Sequence, residues 1–105
     1  MKIELADVPV KEIMPGFHGR LIHNANSTLS FWDVEKGAKL PEHSHFHEQT
    51  TQVLEGKFEL VLEGETIICE PGAVVIIPSN AKHSGKALTA CKLLDTFSPV
   101  REDYK

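Results

Sequence analysis

Three of the six histidines lie within one short stretch, Pro41-Glu42-His43-Ser44-His45-Phe46-His47-Glu48-Gln49. His43 and His45 are two residues apart, and on a strand residues at that spacing point to the same side, so their imidazoles can converge on one ion. Gln49 has the same parity and can offer its amide oxygen. Glu48 is the stronger ligand chemically but has the opposite parity, and reaches the same ion only through a bulge. His83, beyond Pro78-Ser79-Asn80-Ala81-Lys82, is the natural partner from elsewhere in the chain. The remaining histidines, His18, His23 and His47, read as ordinary satisfied or exposed side chains.

A second informative stretch is Leu94-Asp95-Thr96-Phe97-Ser98-Pro99-Val100-Arg101-Glu102-Asp103-Tyr104. Asp95 and Phe97 share parity with Leu93 and Cys91, which turns that face inward. An inward acid is costly unless it is paired or functional. Arg101, just past Pro99, can fold its guanidinium over the mouth of such a site; the plainer reading is a structural Asp95–Arg101 ion pair. Arg20 is either a second cationic contact or a solvated strand edge. Trp32 reads as core, since it sits in an apolar run between Phe31 and Val34.

Thr28 to Val34, Thr51 to Leu54 and Lys57 to Leu62 carry β-branched, aromatic or alternating residues. Glu63-Gly64 reads as a tight hairpin turn into Glu65 to Glu70. The run Val74 to Ile77 suits a strand buried on both sides, and Leu88 to Phe97 a last long strand. Leu5 to Met14 offers at most a turn of helix, and Glu102 to Lys105 reads as a polar tail. Glycine or proline recurs between these segments, which predicts an all-β sandwich or barrel in one domain over residues 1–105.

The net charge is -4, with Lys+Arg 11 against Asp+Glu 15. That balance, without any basic cluster, argues against nucleic acid as a partner. The longest apolar run, Ala73 to Ile77, is far too short to cross a membrane as a helix. Acidic residues stand where a signal peptide would need an apolar core, so a cytoplasmic location is expected. Cys69 and Cys91 each sit in apolar surroundings and read as buried, reduced thiols.

The frame around the histidines resembles the cupin superfamily. Gly37, His43, His45, Gln49 and Gly56 match the spacing of its first motif, with Gln in place of Glu. Gly72, Pro78, Asn80 and His83 match its second, with Asn80 in place of a Gly and Ala87 in place of the final Asn. Asn tolerates the left-handed backbone region that such a glycine serves. The resemblance implies a double-stranded β-helix, a jelly-roll-like antiparallel barrel, with its metal-binding core over about residues 28–98.

The combination HSHxHEQ, PSNxxH and DxFSPxREDY is similar to a group of short cupins related to the pectin-degradation protein KdgF, which convert 4,5-unsaturated monouronates to their linear keto form. That resemblance implies one divalent transition metal (Ni, Zn, Mn or Fe) on His43, His45, Gln49 and His83. It implies Asp95 as acid/base, Phe97 as a wall against the sugar and Arg101 as a clamp on the substrate carboxylate. A small sugar acid as substrate and a homodimer as assembly complete the expectation. Another metal-dependent cupin enzyme, such as a non-haem oxygenase, and a non-catalytic small-ligand carrier are the alternatives.

Overall fold

The structure, a computed structural model covering residues 1–105, is built from ten strands and two short 3-10 turns. The strands are β1 (Lys11–Met14), β2 (Phe17–His23), β3 (Thr28–Val34), β4 (Lys39–His43) and β5 (Glu48–Glu55). They continue with β6 (Phe58–Leu62), β7 (Glu65–Cys69), β8 (Val74–Ile77), β9 (His83–Ala87) and β10 (Cys91–Ser98). All pairs are antiparallel, in a six-stranded sheet β1-β2-β3-β10-β5-β8 and a four-stranded sheet β4-β9-β6-β7. The two sheets bury one face each against the other, the arrangement expected of a jelly roll.

Register places the inward side chains of the large sheet in rows. Trp32, Leu93 and Val53 form one row and Val34 with Cys91 the next; Thr28, Phe97, Gln49 and Ile77 form another, and Ser30, Asp95, Thr51 and Val75 lie between. The interior therefore has an apolar end and a polar end. At the apolar end Phe17 meets Trp32 and Phe58 edge-on, with centroids 6.2 and 6.3 Å apart. Cys69 and Cys91 are buried and free there.

Two tight corners depend on left-handed backbone. Glu63 (φ 47°) and Gly64 (φ 81°) make the two-residue turn that joins Leu62 to Glu65. Asn80 adopts φ 65°, the conformation a glycine would otherwise supply before His83.

Several expectations need correction. Val74–Ile77 is the edge of its sheet, not a strand buried on both sides: Val74 and Ile76 are 59% and 60% exposed. The segment Leu5 to Met14 does hold one helical turn, Leu5–Asp7, but its second half is strand β1. The last strand starts at Cys91, because Leu88 and Thr89 form a bend after an unanticipated strand, β9. The supposed polar tail folds back: Glu102–Tyr104 is a 3-10 turn, and Tyr104 packs edge-on against Trp32 and Phe97. No helix is long and apolar enough to cross a membrane.

Candidate metal centre

β4 and β9 pair so that His43 lies opposite His83, with a register shift between Leu40 and His43. His45 lies past the end of β4, in the connection to β5, so strand pleating does not aim it; the connection does. The three rings nonetheless meet, with centroids 4.2 Å apart for His43–His83, 5.0 Å for His45–His83 and 5.6 Å for His43–His45. One ligand atom from each lies within 4.8 Å of the others.

Each ring is oriented by the same device. Nδ1 lies 2.9 Å from a backbone carbonyl: Pro41 for His43, His47 for His45, Ala81 for His83. A carbonyl only accepts, so in the neutral ring Nδ1 carries the proton and Nε2 keeps a bare lone pair. Outer-sphere hydrogen bonds of this kind fix the tautomer of metal-binding histidines. The Nε2 of His83 is buried with no partner in the protein. Burial, the largest influence, lowers the His83 pKa from 6.5 to about 4, against the Ala81 carbonyl, which raises it. Burial also lowers that of His45. Both rings are thus held neutral, the form that binds metals.

Gln49 completes the group. Its side chain is buried, and its Oε1 lies 3.0 Å from His45 Nε2. Its Nε2 donates to Thr51 Oγ1 at 2.9 Å, which leaves Oε1 as the atom facing His45. A neutral His45 ring has one N–H for two acceptors, the His47 carbonyl and Gln49 Oε1, so one of the two contacts lacks a proton, and a cation bound at Nε2 would satisfy both. The donor set, three imidazoles and an amide oxygen, fits a divalent transition metal. Glu48 is exposed and points away from the group.

Beyond the histidines the polar end holds Asp95 and Arg101, which are 8% and 6% exposed. Asp95 Oδ1 accepts from Thr51 Oγ1 at 2.7 Å and Oδ2 from Trp32 Nε1 at 3.0 Å. Burial dominates and raises its pKa, against hydrogen bonds from Thr51, Gln49 and Trp32 and the charge of Arg101. The suggested Asp95–Arg101 ion pair is not formed. Arg101 donates Nε and Nη2 to Asp103 at 3.0 and 2.8 Å, and its guanidinium lies 4.6 Å from the Phe97 ring centre and 3.9 Å from that of Tyr104. His43, Gln49, His83, Asp95, Phe97 and Arg101 all line one cavity of about 30 Å³. The cavity opens to solvent at its mouth, and its depth admits little more than a water-sized group.

Some residues fall elsewhere. Arg20 does not line the cavity; its Nε donates to the Val8 carbonyl at 3.2 Å. His18 lies outside, 2.7 Å from Glu35, and His23 is held by Thr28 at 2.8 Å. His47, expected to be ordinary, is buried with Nδ1 unpartnered and stacks on Phe46. Sequence reading also missed Thr51, Asp103 and Tyr104 as parts of the site, and took Trp32 only as core although its indole N–H serves Asp95. A polar residue two positions from Gln49, and so of the same parity, was the available signal for Thr51.

Residues 30–97 match the model of the Cupin domain family. The chain is 39% identical over 101 residues to the pectin degradation protein KdgF of Dickeya dadantii (strain 3937), covering 93% of this chain and 92% of that protein. Among solved structures, KdgF from Halomonas sp. superimposes with a TM-score of 0.89 at 28% identity, covering 95% of this chain and 94% of that one. An RmlC-like cupin from Shewanella frigidimarina NCIMB 400 superimposes with a TM-score of 0.90, also at 28% identity, covering 95% and 91%. Fold, motif and likeness agree: the chain belongs to the cupin family.

Proposed function

We propose that this cupin is a metal-dependent isomerase that opens 4,5-unsaturated monouronates to their linear keto form, acting in pectin or uronate breakdown. The observation that carries the metal half of the reading is the convergence of three imidazoles, with His45 between two acceptors, the His47 carbonyl and Gln49 Oε1, and the buried Nε2 of His83 without a partner. The substrate half is supported by the likeness to a pectin degradation protein and by an anion-binding guanidinium beside a buried acid.

His43, His45, Gln49 and His83 would hold the ion, which supplies Lewis-acid stabilisation of an oxygen on which negative charge develops. All four ligands are neutral, so the ion keeps its full charge and favours an anionic substrate. Arg101 has five N–H donors and Asp103 takes two, so three remain for the uronate carboxylate. The Phe97 and Tyr104 rings hold the guanidinium from moving when that carboxylate arrives. Asp95 moves the proton. Burial raises its pKa above the ordinary carboxylate value, which favours a group that both takes and gives a proton, and Trp32 Nε1–H and Thr51 Oγ–H fix the plane of its carboxyl group. The cavity beside the acid has room for little more than a water-sized group, so the sugar ring would sit toward the mouth.

A cytoplasmic location and a homodimer accompany this reading. The exposed Leu54, Val74 and Ile76 offer apolar surface for a second copy.

The test follows the conjugated double bond of a lyase-generated unsaturated monouronate by ultraviolet absorbance. Metal-loaded protein should accelerate its loss and yield the linear keto acid. Decay no faster than in buffer with the same metal would remove the substrate assignment.

A further inference from the structure

We propose that Thr51 is a positioning residue that sets which end of the Gln49 amide faces the metal. The inference rests on the metal-binding half of the function proposed above. The side chain of Thr51 is buried between a carboxylate and an amide: Oγ1 lies 2.7 Å from Asp95 Oδ1 and 2.9 Å from Gln49 Nε2. A hydroxyl has one proton to give. Asp95 takes it, so Thr51 offers Gln49 only a lone pair, and Gln49 must answer with its NH2 group. The amide oxygen is thereby turned toward His45.

The alternative orientation shows why this matters. An amide rotated by 180° would present NH2 to His45 Nε2, so that the ring could keep its proton on Nδ1 for the His47 carbonyl and satisfy both contacts without an ion. The metal-free site would then satisfy itself and close. Two donors would block the ion until the amide turned back. A glutamate at position 49 would not need such control, because both of its oxygens accept; the glutamine does. Thr51 is thus the companion that a neutral amide ligand requires, and the hydrogen-bond polarity runs from Gln49 to Thr51 to Asp95.

The experiment titrates metal-stripped full-length protein with Co2+, reading affinity and the visible absorption of the bound ion. Thr51→Val keeps the shape and removes the hydroxyl. It should weaken binding by about 10- to 100-fold, the usual range for outer-sphere partners of metal ligands, and alter the Co2+ spectrum through loss of the amide oxygen. Thr51→Ser should restore both. Within a Gln49→Glu background the same Thr51→Val change should cost less than about threefold. An unchanged affinity in Thr51→Val, or an equal loss in both backgrounds, would overturn the proposal and leave Thr51 as packing. Should Thr51→Val fail to fold, Thr51→Ala carries the same comparison. Failure of the unaltered protein to bind Co2+ would instead overturn the metal reading itself.

Discussion

The two ends of the barrel interior are built from the same strands and differ only by row. Along β10 the inward residues run Cys91, Leu93, Asp95, Phe97; along β3 they run Val34, Trp32, Ser30, Thr28. One step of two residues converts a hydrocarbon core into a box of an acid, hydroxyls, an amide and imidazoles. Hydrophobic burial stabilises the first end. The second end opposes folding, since desolvating Asp95 and leaving His83 Nε2 and Ser30 Oγ without partners both cost free energy. The apolar end holds the strands in register, and the polar end uses that rigidity to keep groups at chemical distances. Within the polar end the cost is spread through one connected network, Trp32–Asp95–Thr51–Gln49, and not through isolated pairs.

Three changes would break or sharpen this contrast. The largest effect is expected from Asp95→Asn assayed with metal at saturation: turnover of unsaturated monouronate should fall by about 100- to 10,000-fold, the usual contribution of a positioned acid/base. Its thermal stability should hold or rise. A variant that kept its rate would take Asp95 out of the chemistry. At the other end, Leu93→Ala should lower unfolding stability by about 2–5 kcal/mol, measured by denaturant titration, while Co2+ affinity stays within a few-fold. A matching loss of metal binding would mean that the two ends are not separable.

The smallest effect is on pH. In metal-free protein the unfolded state binds a proton at His83 near pH 6.5, the folded state only near pH 4. Between those values the unfolded chain holds more protons, so stability falls as pH drops through the window, by on the order of 3 kcal/mol at most. Asp95, whose pKa is raised on folding, opposes this trend by favouring the folded state as pH falls. The slope should therefore steepen on Asp95→Leu and flatten on His83→Gln. Denaturant midpoints at pH 7 and pH 4.5 measure both, and an unchanged slope in His83→Gln would contradict the assignment.

The pattern of residues reached some parts of this molecule and not others, for physical reasons. β3, β6 and the Glu63-Gly64 turn follow from alternation and turn chemistry. β9 escaped because it reads HSGKA: its middle residue is glycine, and a Cβ at Gly85 would strike the Phe58 ring. The space that hydrophobic periodicity would have filled is filled from the neighbouring strand. β8 misled in the other direction, because four successive apolar residues carry no mark of which face is covered. In the candidate site, His43, His45 and Gln49 were proposed from spacing and His83 from its place after a strand and from the motif resemblance; the structure brings the four together, although His45 arrives by a connection and not by the pleat. Thr51 was hidden because threonine is an ordinary strand former. Asp103 and Tyr104 were hidden because an acidic, aromatic C-terminus looks like solvent-facing chain until Arg101 gathers both.

The central claim is that the polar end encloses a single cation on side chains from β4, its connection, β5 and β9. The most direct test is the metal content of full-length protein equilibrated with a divalent metal and freed of excess by gel filtration. The unaltered chain and Glu48→Ala should each retain one ion per chain, and His45→Ala/His83→Ala almost none. An unaltered chain that retains no ion, or a double variant that retains as much, would contradict the account.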